Sequence, residues 1–74
     1  MPSKYPVLSP GEVIHILEHA GFSFVSQKGS HMKFSDGVHT VIVPNHNKDI
    51  FVGTLQSIIR QSGMSPDEFL SYRK

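Results

Sequence analysis

Apolar positions along the chain fall into two helical stretches separated by a stretch of strand-like alternation. Val13, Ile16, Leu17 and Ala20 recur on one side of a helix, with Glu12, His15, Glu18 and His19 on the other. This is the spacing of an amphipathic helix of about three turns. Ser9-Pro10-Gly11-Glu12 reads as its start, a capping box with proline at the first helical position, and Gly21 reads as its end. A leader punctuated by Pro2, Pro6 and Pro10 is expected to run extended before it.

After Gly21 the period becomes two. Phe22-Ser23-Phe24-Val25-Ser26-Gln27 predicts a first strand closed by Gly29-Ser30. His31-Met32-Lys33-Phe34-Ser35 predicts a second, ending at an Asp36-Gly37 hairpin turn, and the β-branched run Thr40-Val41-Ile42-Val43 a third. Pro44-Asn45-His46-Asn47-Lys48-Asp49 is polar and turn-forming, so a surface loop is expected. Helical spacing returns at Leu55, Ile58 and Ile59 and stops at Gly63, and Ser65-Pro66-Asp67-Glu68 repeats the capping signal before Phe69 and Leu70.

This order predicts an α+β fold: a three-stranded antiparallel sheet with two main helices on one face (α-β-β-β-α), an open opposite face, and a short C-terminal helix. Met32 and Phe34 then point to the core. A chain of 74 residues supports one core, so a single domain spanning 1–74 is expected. Its 38% hydrophobic residues, five Phe among them, are enough to fill that core.

Composition narrows function mainly by exclusion. Cysteine is absent, which removes disulfide frameworks and thiolate metal sites. No apolar run approaches the roughly 18 residues of a membrane helix, and no apolar signal region opens the chain, so a cytoplasmic protein without membrane association is expected. Net charge is only +1 with the histidines neutral. Nucleic-acid binding would therefore rest on where the cations lie, not on their number.

Because strand residues alternate faces, His31 and Lys33 share the open face just beyond the Gly29-Ser30 turn, with Lys28 just before it. These residue types suit RNA cleavage without a metal, with a base for the ribose 2′-hydroxyl and cations for the phosphate. On residue type alone, however, an exposed strand histidine flanked by lysine is more often an ordinary surface residue than a catalyst. His15 and His19 have the i, i+4 spacing of a helical metal pair, but they lie on the predicted solvent face with no third ligand, so neither a metal site nor a cofactor is expected. His39 follows the hairpin turn and is expected to be exposed, and Phe22, Phe24, Phe34 and Phe69 to pack in the core.

Three segments, in order, carry a more specific signal: Lys28-Gly29-Ser30-His31-Met32-Lys33-Phe34, then Val41-Ile42-Val43-Pro44-Asn45-His46, then Gly53-Thr54-Leu55-Gln56-Ser57-Ile58-Ile59-Arg60-Gln61-Ser62-Gly63. Together they resemble the HicA toxin family. Its pattern is a glycine, a small residue and a histidine opening the second strand, a Val-Pro-x-His end to the third, and Gly-Thr opening the next helix. The likeness runs over nearly the whole chain. It implies a fold similar to double-stranded-RNA-binding domains and the toxin of a type II toxin–antitoxin system, an endoribonuclease (mRNA interferase) acting on mRNA. It also implies a cognate HicB-like antitoxin and a catalytic role for His31.

Around His31 the expected substrate-binding positions are Lys28, Gly29, Ser30, Lys33, His46 and Thr54, in a toxin that is monomeric when free. His46 matches the second motif histidine, and both an acid–base role and a structural hydrogen bond remain open for it. Thr54, with the free amides around it, would hold a phosphate or cap the helix. The second helix begins Gly53-Thr54-Leu55-Gln56 where double-stranded-RNA-binding domains place a lysine cluster, which argues against ordinary duplex binding. The alternative use of the same fold is a non-catalytic RNA-binding or antitoxin-docking module, for which an imidazole at position 31 is not required.

Overall fold

The computed structural model describes residues 5–73; residues 1–4, which include Pro2 of the leader, and residue 74 lie outside the described residues. Six elements follow in order: α1 (Pro10–His19), β1 (Ser23–Lys28), β2 (His31–Ser35), β3 (Thr40–Pro44), α2 (Val52–Ser62) and α3 (Pro66–Ser71). The strands form one antiparallel sheet in the order β1-β2-β3. This is the expected α+β arrangement.

The caps explain where α1 starts and stops. Ser9 Oγ accepts from the Glu12 N–H at 3.2 Å and Glu12 Oε1 accepts from the Ser9 N–H at 2.9 Å, the reciprocal capping box. At the other end Gly21 takes φ +98°, its N–H donates to the Glu18 carbonyl at 3.1 Å, and the Phe22 N–H donates to the Leu17 carbonyl at 2.9 Å. These are the two bonds of a Schellman cap, and its usual apolar contact is available because Phe22 and Leu17 are both buried. Phe22 is thus spent on the cap, and the strand begins one residue later than its β-propensity suggests.

The core lies between the helices and the inner face of β2 and β3. Val13, Ile16 and Leu17 of α1, Phe34 of β2, Val41 and Val43 of β3, Leu55, Ile58 and Ile59 of α2, and Phe69 of α3 are all buried. Met32 is half-buried against them. Leu8 and Ile50 join the core through an isolated antiparallel bridge in which the Ile50 N–H donates to the Leu8 carbonyl at 2.8 Å. This bridge fastens the leader to the segment that enters α2, a pairing that periodicity within either segment does not reveal.

Two expectations need correction. Phe24 is not a core residue: it is 53% exposed and meets Phe34 edge-on, with ring centroids 5.9 Å apart and planes at 77°. The helices lie nearest β3, and every residue of β1 stays exposed. His39 is not simply exposed either. It is half-buried, its ring lies against Gly63, and its Nδ1 stands 3.5 Å from Asp36 Oδ2, an electrostatic contact too long for a good hydrogen bond. Asp36 itself is tied down by the Val38 and His39 N–H groups at 2.9 and 2.7 Å. These bonds, that of His39 first, hold its carboxyl below the usual carboxylate range.

Two measurements test this packing. Phe34→Ala is expected to cost about 3–5 kcal/mol in urea unfolding at unchanged m-value; a loss below about 1 kcal/mol would mean that the faces of β2 are reversed. Glu12 is held below its ordinary pKa by the Ser9 N–H first and the Ser9 hydroxyl second. A lowered folded-state value stabilises the fold above the unfolded Glu pKa, about 4.3, and that contribution is lost as pH falls through the folded value. Glu12→Gln is therefore expected to lower the melting temperature slightly at neutral pH and to flatten the acid limb, the difference from wild type closing below about pH 4.3. An acid limb of unchanged slope would rule out Glu12 as a contributor.

Candidate functional site

The site begins at a hairpin. Lys28 pairs with His31 across Gly29 and Ser30. Gly29 has φ +60°, whereas Ser30, like every described non-glycine residue, has negative φ. Positive φ at the first central residue alone fits a type II′ turn, whose twist matches that of the flanking strands. Directly opposed residues project from the same face with Cβ atoms about 5 Å apart. The turn therefore sets the side chains of Lys28 and His31 beside each other on one face.

The rest of the outward face follows from register. His31 pairs with Pro44 and Lys33 with Ile42 on β3, and Ser26 pairs with Lys33 on β1. Lys28, His31 and Pro44 thus form one row, and Ser26, Lys33 and Ile42 the next. A β-bulge between Phe24 and Ser26 makes this compatible with the inner face. In regular alternation Phe24 would share a face with Ser26 and Lys28. The extra residue, Val25, lets Phe24 sit opposite Phe34 while both later residues stay outside.

Ser26, Lys28, Gly29, His31, Lys33 and Ile42 line a hollow of about 550 Å³ on this open face. It contains two lysines and no carboxylate, so a chain of net charge +1 still presents a local cationic surface. A second hollow of about 340 Å³ lies on the other side of His31, walled by Pro44 and His46 from the β3 end and by Thr54, Ser57, Ile58 and Gln61 from α2. His31 and Ile42 belong to both hollows. His31 is therefore a ridge between them.

The loop carrying His46 is anchored to the same hairpin, because the Asn45 N–H donates to the Ser30 carbonyl one step beyond the β2–β3 ladder. His46 Nδ1 accepts from the Lys48 N–H at 3.3 Å. A neutral imidazole that accepts at Nδ1 carries its proton at Nε2, so His46 is both a structural acceptor and a neighbour of His31 with an N–H to offer. Of the residues expected at the site, Lys28, Gly29 and Lys33 gather around the first hollow, and His46 and Thr54 line the second. Ser30 lines neither and contributes its backbone. Thr54 is not the cap of α2; Phe51 is, without a side-chain hydrogen bond.

Ser57 and Gln61 were not foreseen. Thr54, Ser57 and Gln61 recur at i, i+3, i+7, a polar flank beside the apolar stripe of α2; what the sequence does not reveal is that this flank abuts the sheet edge. His15 and His19 are exposed, their ring centroids 4.1 Å apart, and no group of three or more metal-binding side chains forms among the described residues.

The family model for the HicA toxin of bacterial toxin–antitoxin systems matches residues 11–64. The chain belongs to the HicA toxin family. No curated protein gives a significant match. The matched span runs from α1 to just beyond the glycine that caps α2, and it encloses Gly29-Ser30-His31, Pro44-Asn45-His46 and Gly53-Thr54. Both hollows of the toxin thus lie within it, while the Leu8 end of the bridge and α3 lie outside. Among the described residues no helix is long and apolar enough to cross a membrane.

Gly29→Ala tests the hairpin that orders this site. A Cβ at Gly29 meets nothing within 4 Å, so the cost is backbone strain alone, about 1–2 kcal/mol. The expected outcome is a lower melting temperature together with faster amide exchange at Lys28 and His31. A melting temperature at or above that of wild type would show that the turn does not require positive φ.

Proposed function

We propose that this toxin is an endoribonuclease of mRNA that works without a metal ion and uses His31 as its general base. The observation that carries the reading is the strand register: it sets an exposed imidazole directly opposite Lys28 and one outward position from Lys33, over a hollow that a phosphodiester can enter. In this reading the phosphate lies against Lys28 and Lys33. His31 takes the proton of the adjacent ribose 2′-hydroxyl, and the 2′-oxygen attacks phosphorus. The ammonium groups stabilise the charge gathering on the non-bridging oxygens. The bond to the 5′-oxygen breaks, and that oxygen takes a proton from the Lys28 ammonium; the site resets when the His31 imidazolium gives up its proton to solvent and Lys28 takes one back. The products are a 2′,3′-cyclic phosphate and a 5′-hydroxyl.

His46 fits a supporting part. With Nδ1 engaged by the Lys48 N–H, its Nε2–H suits a hydrogen bond to the bound strand better than proton removal. Thr54 adds a hydroxyl at the same rim, and Gly29 and Ser30 keep the turn low enough for the strand to pass. The partner that restrains such a toxin is a HicB-like antitoxin. A footprint of about 800 Å² on the open sheet face would cover His31 and both lysines.

The deciding experiment compares wild type with His31→Ala, by growth and transcript integrity on induction and by cleavage of single-stranded RNA with the purified proteins in a strong chelator. Wild type is expected to arrest growth and cut RNA with the chelator present. His31→Ala is expected to lose about 10²-fold or more in rate while melting like wild type. Equal growth arrest by both proteins would end the assignment of His31, and strict dependence on added divalent ions would end the metal-free mechanism.

A further inference from the structure

The two hollows that meet at His31 differ in chemistry. The first carries Lys28 and Lys33, whereas no lysine, arginine or carboxylate lines the second. A nucleic-acid strand alternates two kinds of group in the same way. Phosphates are held by cations and carry no sequence information, and bases are read by hydrogen bonds and flat apolar contact. The second hollow has the size of a small-ligand site, about 300 Å³ upward. Ile42, Pro44 and Ile58 give it an apolar wall, and Thr54, Ser57 and Gln61 give it hydrogen-bonding groups along one flank of α2.

The polarity of those groups is set by the fold. β3 is an edge strand, and the Ile42 N–H is taken not by another strand but by Gln61 Oε1, at 2.9 Å. Turning the Gln61 amide over would set its NH₂ against that N–H, donor to donor. The orientation is therefore locked, and Nε2, which has no hydrogen-bond partner among the described residues, is left to donate. Ser57 follows the same logic: its Oγ accepts from Arg60 Nη2 at 3.2 Å, which leaves the hydroxyl hydrogen to be given away. The hollow thus presents donors over an apolar wall, and no lysine or arginine is among its lining residues.

We infer that this second hollow is a nucleobase subsite for the nucleotide adjoining the bond over His31. Its Gln61 amide and Ser57 hydroxyl select a base with a carbonyl oxygen at position 4 of a pyrimidine or 6 of a purine, uracil or guanine, over cytosine and adenine, which carry amino groups there. The inference rests on the ribonuclease reading above and adds to it a source of sequence preference.

The test maps cleavage positions by end sequencing on a single-stranded transcript containing every dinucleotide, for wild type, Gln61→Glu and Ser57→Ala. Gln61→Glu keeps an oxygen for the Ile42 N–H and replaces the donor by an acceptor. Ser57→Ala removes the second donor without touching the strand edge, and so keeps the test sound if the Gln61 variant melts low. Wild type is expected to favour uracil or guanine on one side of the cut by roughly tenfold, as one well-placed base contact provides. Gln61→Glu is expected to shift that position toward cytosine and adenine, and Ser57→Ala to weaken the preference. A wild-type pattern without a carbonyl-base preference, or one that both variants leave unchanged, overturns the subsite while leaving the ribonuclease intact. If wild type cuts no RNA at all, the ribonuclease reading itself falls and the subsite falls with it.

Discussion

The two-residue turn at Gly29 and Ser30 pins Lys28 opposite His31, and since side chains alternate along a strand, that pairing decides which face every residue of β2 occupies. A slip of one position would send His31 and Lys33 into the core and Phe34 into water. Two features guard against it. Gly29 takes the positive φ that the turn demands, and Phe34, 1% exposed, holds the inner face from the other side. The bulge at Val25 completes the arrangement by letting β1 change parity between Phe24 and Ser26. Without it, an aromatic facing inward and a lysine facing outward four residues later could not belong to one strand.

Size explains why the open face exists at all. A chain of 74 residues has two main helices to spend, and both lie on the inner side, nearest β3. β1 is left without a single buried residue and is held by its ladder to β2 and by the edge of Phe24 against Phe34. A larger domain would cover this sheet on both faces. Here the uncovered face is backed on its inner side by the buried core, a support of the kind that would hold a general base against a bound chain in the proposed reaction.

Much of this was legible in the sequence. The caps at Ser9 and Ser65, the stop at Gly21, the period change after it and the inward placement of Phe34 all come from local chemistry, and each is found in the structure. The gathering of Lys28, His31 and Lys33 was legible for the same reason, since two adjoining strand segments and one turn define it. What was not legible depends on residues far apart in the chain. The Leu8–Ile50 bridge, the packing of His39 on Gly63, and the approach of Gln61 to Ile42 each join segments that carry no mark of one another. Phe24 was misplaced for a related reason: its hydrophobicity says core, but whether a helix reaches over β1 is a property of the whole packing.

The edge of β3 is where stability and the proposed base recognition would be linked in so small a fold. An unpaired strand edge invites intermolecular pairing, and α2 closes this one with a side chain rather than a strand, through the hydrogen bond from the Ile42 N–H to Gln61. That bond satisfies a backbone donor and, at the same time, fixes which end of the amide faces the hollow. The consequence extends to inhibition. His31 is common to both hollows, so on the proposed reading a partner that fills either one with a single side chain would obstruct the path of an RNA strand across the ridge. On that reading full burial of the sheet face is not required for inhibition. An acidic side chain set between Lys28 and Lys33 would be drawn in by charge and would occupy the place of a phosphate, and the remainder of the interface need only hold it there.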